Sequence, residues 1–449
     1  AVLLRPLLYI CIKWRTFLMC NSFTDTRIQT DNPRLQIFMK DWLVAVKKVQ
    51  ESKFSHFLLQ YGRRACIIIM RKYDEKGVNG EMPFYAISLF SGAGGFDLGM
   101  EAAGFTTRLC TDIDFHSCQT LQNNKDALAN NPQHPFLSHA VIKQKNIKEY
   151  STDEILKDAG LKKEDVSLVY GGPPCQSFSV FGQRKGMEDP RGTLLWDYLR
   201  VIREIEPACF IFENVAGLLS IDDGKVFKQF LEELSKDTNG NQAYTVSHYL
   251  LDTASFGVPQ YRSRVIIYGV KGKTAISMPQ KTHALTDAEM AEGLLPLVTV
   301  GDAILSLPTP PSTTIANHVG RVHGQAVIDR YSALAFGERD SKTRINKLNP
   351  DKPSFTIVVG SDKGGGKGHV HPYSPREVTP RESARLQTFP DYWAFSGTSR
   401  HPIRQVGNAV PPVFAAVIGA HLLEEAFGVK DVPDYNEIIR RLGSDYLLK

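Results

Sequence analysis

The feature of this 449-residue chain that most constrains its fold is an alternation of strand and helix patterns that begins at Phe84. Short apolar runs, typical of buried strands, are each followed by a turn and then by a longer segment with helical periodicity. The runs with strand character are "FYAISLF", "RLCTDID", "VSLVYGGPP", "ACFIFENV", "YTVSHYLLD" and "RVIIYGV". The helical segments include "GTLLWDYLRVIREI" and "KVFKQFLEELSKD". This alternation predicts an α/β fold with a doubly wound, mostly parallel sheet.

The alternation ends near residue 275, where segments rich in Pro, Gly, Ser and Thr begin, and "QVGNAVPPVFAAVIGAHLLEEAFG" later returns to an apolar helix. We therefore predict five segments. They are a basic N-terminal extension over 1–82, a main α/β domain over 83–275, a smaller irregular domain over 276–395, a helix returning to the main domain over 396–430, and a tail over 431–449.

Composition excludes several classes of protein. No apolar run approaches the roughly 18 residues that a membrane helix needs, so we expect no membrane span. The seven cysteines are scattered and form no CxxC pair, which argues against a zinc site or a disulfide framework. We predict no metal ligands.

The net charge of +5 is unevenly distributed. Residues 1–80 carry 14 Lys and Arg against 6 Asp and Glu, so the remainder of the chain is slightly acidic. A nucleic-acid partner must therefore be held by local basic patches. One candidate is the segment 339–385, with 10 basic and 5 acidic residues, although a solvated surface explains the same charge equally well.

A glycine-rich turn follows the first predicted strand. "FSGAGG" exposes backbone N–H groups at the start of a helix, which suits an anionic or zwitterionic ligand. Asp112 ends the next strand, 20 residues beyond Gly92, where a carboxylate can bind ribose hydroxyls. The turn is not the dinucleotide GxGxxG pattern, because Asp97 stands where the third glycine would fall. These features predict an adenosine-containing cofactor and leave NAD and S-adenosylmethionine open.

Two further strand ends carry reactive side chains. Cys175 follows two prolines in "GGPPCQSFSV", and a cysteine thiol is an intrinsically strong nucleophile. Glu213 ends the apolar run "CFIFENV", whose dry wall suits a carboxyl group that must hold or give a proton. Arg262 and Arg264 stand two residues apart, so both guanidinium groups are expected to reach one cleft. Each residue alone is ordinary, but the set indicates nucleophilic attack on an electron-poor ring carbon.

The order of the motifs resembles that of a DNA (cytosine-5) methyltransferase of the bacterial restriction–modification or phage kind, from about Phe84 to Phe427. The motifs are "FSGAGGFDLGME", "TDID", "GGPPCQSFSVFGQRKGMEDPRGTL", "ENV", "GVPQYRSRVIIYG", "HPYSPREVTPRESARLQTFPD" and "QVGNAVPP". The long cysteine motif and the "REVTPRESARLQTFPD" motif are the most specific of them.

The resemblance implies a site-specific enzyme with a Rossmann-like, S-adenosylmethionine-dependent fold and a target-recognition domain over 276–395. Cys175 would attack C6 of a flipped-out cytosine, and C5 would take the methyl group from S-adenosylmethionine. Glu213 would hold N3 of the ring and Arg264 would hold O2, with Arg262 in the same catalytic set.

The resemblance also implies binding residues. The predicted cofactor residues are Phe90, Gly92, Ala93, Gly94, Gly95, Asp112, Ile113, Asn146, Pro174, Leu194, Asn408 and Ala409. The predicted DNA-binding residues are Gln176, Ser179, Arg184, Arg381 and Arg385. Two positions depart from the family pattern. Asp112 and Ile113 stand where Glu and an aromatic residue are usual, and Asn146 stands where Asp is usual.

The expected partner is double-stranded DNA, with a cognate restriction endonuclease as an optional second partner. We expect a monomer in the cytoplasm of a bacterial or phage-infected cell. Three alternatives stay open at this point: an RNA methyltransferase on the same fold, a non-catalytic DNA-binding member of the family, and a nicotinamide oxidoreductase, which leaves "PPCQ" unexplained.

Overall fold

The computed structural model describes most of the chain after its N-terminal extension. The described residues are 83–129, 131, 133–174, 193–272, 274–357, 368–398 and 400–448. The extension over 1–82 and the predicted site residues Cys175, Gln176, Ser179 and Arg184 therefore lie outside the described residues.

Seven strands form one sheet. They are β1 (Phe84–Leu89), β2 (Phe105–Asp112), β3 (Val141–Gln144), β4 (Val166–Gly171), β5 (Cys209–Val215), β6 (Tyr244–Asp252) and β7 (Ser263–Lys271). Their order across the sheet is β3-β2-β1-β4-β5-β7-β6. The pairs from β3 to β5 are all parallel, whereas β7 runs antiparallel to both of its neighbours. The predicted doubly wound, mostly parallel α/β fold is confirmed.

Helices cover the sheet and connect its strands. They are α1 (Gly95–Ala103), α2 (Phe115–Leu128), α3 (Thr152–Ala159), α4 (Thr193–Ile205), α5 (Lys225–Leu234), α6 (Asp287–Ala291), α7 (Val300–Ile304), α8 (Gln325–Ala333), α9 (Pro380–Leu386), α10 (Arg400–Asn408), α11 (Pro412–Phe427) and α12 (Tyr435–Leu442).

Six of the seven strands coincide with the apolar runs of the sequence. The sequence analysis missed β3, because its four residues, "VIKQ", lie at the sheet edge and lack a continuous apolar run. The antiparallel direction of β7 was also not predicted. It is consistent with the connection, since residues 253–262 between β6 and β7 contain a short 3₁₀ helix (Thr253–Phe256) and no crossover α-helix.

The strand order places a crevice at the carboxyl ends of the central strands β1 and β4. From β1 the chain moves to β2 and β3 on one side, and it later continues on the other side of β1 through β4 and β5. The connections that follow β1 and β4 therefore diverge. In open α/β sheets, ligands bind at the carboxyl ends of strands at such a switch point. The glycine turn, Asp112 and Glu213, which the sequence predicts to be functional, lie at or near the carboxyl ends of these strands.

Helix α11 is a core helix that lies against α1. The span Arg400–Phe427 reaches the length and mean hydropathy of a membrane helix, but 83% of its apolar window is buried inside the protein. Gly99 of α1 allows the close approach. A Cβ at Gly99 would lie 2.3 Å from the Cβ of Ala415 and 2.5 Å from the carbonyl oxygen of Pro412.

The C-terminal part of the chain packs more tightly than the sequence suggested. The predicted tail contains α12, whose Ile438, Ile439 and Leu442 are buried. They belong to the cluster of apolar side chains that also holds Leu98 of α1 and Val413 of α11, which we call the main core. The predicted small domain also contributes to that core, through Val300 of α7 and Trp393 among others. Side chains of both predicted segments therefore join a core that the sequence pattern did not identify.

A separate small core is confined to part of the predicted domain. Tyr331, Ile345 and Val370 pack together with the half-buried Val327 and Leu334. We call the described residues 319–347 and 368–377 the small lobe. Among the described residues beyond β7, this lobe has a cluster of apolar side chains of its own.

The close packing of α1 on α11 predicts a strong effect of one methyl group. Gly99→Ala should lower the free energy of unfolding by about 2 kcal/mol or more, because the added Cβ overlaps the backbone of α11. Urea unfolding followed by circular dichroism would measure the change. Gly217→Ala is the matched control, since a Cβ there would meet nothing within 4 Å, and its effect should stay within about 0.5 kcal/mol. Equal effects of the two substitutions would contradict this account of the packing.

Candidate active site

The glycine turn, which we define as Phe90–Gly95, is fastened to the end of β2. The Ser91 N–H donates to the carbonyl of Thr111 at 3.1 Å, and the Thr111 N–H donates back to Ser91 Oγ at 3.1 Å. Phe90 has a φ of 56° and Gly92 a φ of 54°. A left-handed conformation at a non-glycine residue costs on the order of 1 kcal/mol, and it persists where the surroundings fix it. The two hydrogen bonds between Ser91 and Thr111, one through the Ser91 N–H and one through Ser91 Oγ, fix the turn in this conformation.

Asp112 is held against the open part of this turn. Its Oδ2 accepts the Gly92 N–H at 2.8 Å, and its Oδ1 accepts the Asp114 N–H at 2.8 Å. Burial raises the pKa of the Asp112 carboxyl group. A Cβ at Gly92 would meet nothing within 4 Å, so free space adjoins the carboxylate. The structure thus brings together Gly92 and Asp112, which the sequence analysis paired from their spacing.

The other glycines of the turn face the core. A Cβ at Gly94 would lie 2.7 Å from Leu121 Cδ2 and 2.8 Å from Trp393 Cζ2. A Cβ at Gly95 would lie 2.3 Å from the Val410 carbonyl oxygen. Core atoms thus fill the space in which a side chain of Gly94 or Gly95 would lie. The predicted contact of these two residues with the cofactor would be made by their N–H and carbonyl groups. Ala93 is buried as well, and its carbonyl accepts the Trp393 indole N–H at 3.0 Å.

Gly95 brings the C-terminal part of the site to the turn. Its missing side chain lets the start of α1 lie against Ala409 and Val410, directly after α10. Asn408, the last residue of α10, is exposed, whereas Ala409 is buried. The predicted cofactor residues from the two ends of the chain therefore meet at one place.

Apolar side chains surround the end of β2. Ile113 is 65% exposed and Phe115 is 54% exposed, which is unusual for side chains of this size. Ile113 was predicted from the sequence but Phe115 was not, although an aromatic residue three positions after Asp112 was a visible signal.

Asn146 lies in the connection after β3, where its amide oxygen accepts the Lys148 N–H at 3.3 Å and caps a short turn. The adjacent Lys145 N–H donates to the Asp112 carbonyl.

Glu213 and Arg264 form an ion pair, which we call the catalytic pair. Arg264 Nε lies 2.8 Å from Glu213 Oε1, and both side chains are about nine-tenths buried. Glu213 lies near the end of β5 and Arg264 near the start of β7; Arg264 is opposite Val215 in the antiparallel register.

The loop that leads to Cys175 is fixed beside the catalytic pair. A Cβ at Gly172 would lie 2.8 Å from Glu213 Oε2, so only glycine allows this approach without movement of the carboxylate. Asn214 Nδ2 donates to the Pro173 carbonyl at 2.8 Å. Sequence reasoning missed Asn214, whose signal was its place in "ENV". Pro174 is exposed, and Leu194 of α4 is half-buried.

Three arginines of the predicted site are buried and bind backbone carbonyls. Arg262 is only 3% exposed, and its Nη2 donates to the carbonyls of Gly407 at 3.0 Å and Ala409 at 3.1 Å. Arg381 is fully buried and donates to the Ala316 and Pro390 carbonyls.

Arg385 pairs with Asp391 and donates to the Ala303 carbonyl at 3.0 Å. The guanidinium groups of Arg381 and Arg385 thus contact backbone carbonyls and Asp391, which fits the brace of the domain junction that their spacing also suggested. Arg262 does not reach the cleft that Arg264 occupies, because its side chain is directed to the 407–409 carbonyls.

Comparisons with known proteins agree with this geometry. A family model described as C-5 cytosine-specific DNA methylase matches residues 84–424. The Type II methyltransferase M.AquIA of Picosynechococcus sp. is 41% identical over 236 residues, which cover 50% of this chain and 90% of that protein. M.XorII of Xanthomonas oryzae pv. oryzae is 32% identical over 374 residues, which cover 75% of this chain and 84% of the relative.

Solved structures show the same fold. A prophage-encoded DNA modification methyltransferase from E. coli superposes with a TM-score of 0.60 at 27% identity, over 76% of this chain and 99% of that one. The S. pombe Dnmt2 methyltransferase superposes with a TM-score of 0.54 at 19% identity, over 76% of this chain and 98% of that one. The match over residues 84–424 shows that this chain belongs to the family of C-5 cytosine-specific DNA methylases, which use S-adenosylmethionine to methylate cytosine in DNA.

Proposed function

We propose that Cys175, Glu213 and Arg264 carry out site-specific methylation of cytosine C5 in double-stranded DNA. The observation that carries this assignment is the buried ion pair of Glu213 and Arg264, 2.8 Å apart, next to the Gly172–Pro173 backbone that leads to Cys175. Because the target carbon is stacked within a duplex, the cytosine must be flipped out before it can enter the cleft.

The proposed chemistry conserves every proton and electron pair. The Cys175 thiolate forms a bond to C6 of the ring, and the electron density moves to C5. Glu213 holds N3 and Arg264 holds O2, where charge changes during the attack, as preorganised electrostatic catalysis requires. S-adenosylmethionine would supply the methyl group to C5 and leave as S-adenosylhomocysteine, with its S–CH3 bond broken. The C5 proton would then pass to a base, and the C6–S bond would break to release the thiolate.

The residues around Asp112 and Asn408 fit S-adenosylmethionine, which supplies the electrophilic methyl group. We assign the ribose hydroxyls to the Asp112 carboxylate, which adjoins the free space at Gly92. The exposed Ile113 and Phe115 offer an apolar surface for adenine. Asn408 and Ala409 are assigned to the amino-acid end, and the exposed Asn408 amide has the donor and acceptor that a zwitterion needs.

DNA is assigned to the space between the main core and the small lobe. We propose Gln176, Ser179 and Arg184 as DNA contacts beside the flipped base. Base edges would be read by the target-recognition segment within 276–395. The small lobe is the part of this segment that has its own apolar cluster.

The biological setting is also a proposal. The relatives M.AquIA and M.XorII are named as Type II methyltransferases, which supports a role in restriction and modification. We therefore propose a cytoplasmic enzyme that acts as a monomer and does not require a cognate endonuclease for its activity.

The covalent step predicts a stable adduct with a modified substrate. Bisulfite sequencing of DNA from cells that express the protein would first identify the target sequence. Duplex DNA with 5-fluorocytosine at that position should then give a denaturant-stable protein–DNA adduct in the presence of S-adenosylmethionine, because fluorine cannot leave as the C5 proton does. Gel electrophoresis would measure the adduct.

Variants separate the roles within this step. Cys175→Ser should form no adduct, and Glu213→Gln should slow its formation by roughly 10²- to 10³-fold, the usual cost of one preorganised electrostatic group. A tRNA substrate serves as the control for nucleic-acid class. An adduct that forms at the wild-type rate in Cys175→Ser would refute the assignment of the nucleophile.

Asp112 predicts a specific loss of cofactor affinity. Asp112→Ala should weaken S-adenosylmethionine binding by roughly 10- to 150-fold, the range expected for hydrogen bonds to a charged group. Isothermal titration calorimetry would measure the dissociation constant. Asp431→Ala, at an exposed position beyond α11, is the matched control and should bind like the wild type. Unchanged affinity in Asp112→Ala would contradict the ribose assignment.

A further inference from the structure

The segment that enters β7 carries long polar side chains at alternate positions, and each has a different partner. Arg264 binds Glu213, as described above. Arg262 donates to the carbonyls of Gly407 and Ala409. Gln260, which is fully buried, donates to Gln387 Oε1 at 3.0 Å. A stretch of five residues therefore contacts both the catalytic pair and the turn after α10.

Arg262 occupies an unusual position for a cation. Burial lowers the pKa of its guanidinium to about 9, with the neighbouring Arg264 adding to the effect. Its Nε has no hydrogen-bond partner among the described residues. Because burying a charge is costly unless it is well compensated, the two carbonyl contacts need a physical reason.

The end of α10 provides that reason. The last carbonyls of a helix lack intrahelical partners and carry partial negative charge, which a cation stabilises. Arg262 Nη2 binds the carbonyls of Gly407 and Ala409, on either side of Asn408. Gln387 Nε2 adds a second tether at the Val406 carbonyl, at 2.9 Å.

The tethered turn is also confined from the other side. Gly95, at the start of α1, lies against the Val410 carbonyl oxygen and the Ala409 Cβ. The backbone around Asn408 is thus fixed by Arg262 on one side and by the glycine turn on the other. The Asn408 side chain is left exposed at their junction.

We infer that Arg262 is a positioning residue for the cofactor, which sets the orientation of Asn408 and ties it to the catalytic pair through the same chain segment. This inference rests on the proposed assignment of Asn408 to the amino-acid end of S-adenosylmethionine. Arg262 touches neither DNA nor cofactor and acts through the 407–409 backbone.

The test compares Arg262→Lys and Arg262→Met with Asn408→Ala. Calorimetry would give the dissociation constant for S-adenosylmethionine, steady-state kinetics would give KM for cofactor and DNA separately, and thermal melting would report the fold. Arg262→Met should weaken cofactor binding roughly 10- to 100-fold, with KM for DNA changed less than about threefold. Arg262→Lys keeps the charge but cannot reproduce the same fork, so its loss should be smaller.

Arg203→Lys is the matched control. Arg203 also donates to carbonyls near the end of a helix, those of Glu233 and Lys236 after α5, but it lies outside the site. Its replacement should lower the melting temperature and leave cofactor affinity unchanged.

Each result has one interpretation. Normal cofactor binding in Asn408→Ala would refute the proposed role of Asn408 itself. Impaired binding in Asn408→Ala with wild-type affinity in both Arg262 variants would refute the positioning role alone. A folded Arg262→Lys protein that loses DNA and cofactor affinity equally would show a general brace, which would also overturn the inference.

Discussion

The ion pair between Glu213 and Arg264 is the interaction on which the arrangement of the site depends. It joins the last residues of β5 to the first residues of β7, and both side chains are largely shielded from water. Removing one partner of a buried pair typically costs about 3–5 kcal/mol, because the other charge is left uncompensated. The antiparallel direction of β7 makes the pair possible. A parallel β7 would begin at the opposite edge of the sheet, far from Glu213.

Close backbone approach is the second constraint on the site. Gly172 lets the loop before Cys175 lie against the Glu213 carboxylate, and Gly95 lets the start of α1 reach the residues after α10. Gly99 does the same for the packing of α1 on α11. In each case the first atom of a side chain would overlap a neighbour. The catalytic and cofactor regions therefore share one rigid frame in which sheet, α1 and α11 fix one another.

The features that were predictable from sequence are local or periodic. Six strands appear as apolar runs, and the Gly92–Asp112 contact follows from a spacing that places both residues at neighbouring strand ends. Arginines were harder to assign, because the same residue type serves opposite purposes. Arg381 and Arg385 are one helical turn apart in a basic segment, yet burial commits them to backbone carbonyls and to Asp391. Nothing in their immediate sequence distinguishes a core brace from a phosphate ligand.

The sequence by itself determined the fold class, the order of the motifs and the family, since these depend on periodicity and on residue types at fixed spacings. Tertiary structure alone decided which side chains meet. Arg262 and Arg264 differ by two positions, but Arg264 reaches Glu213 whereas Arg262 reaches the end of α10. The packing of α12 into the main core was likewise invisible in the pattern. The reason is physical: sheet direction and backbone approach choose partners that lie far apart in the chain, such as Arg262 and Gly407 at a separation of 145 residues, and no local stretch of sequence encodes either.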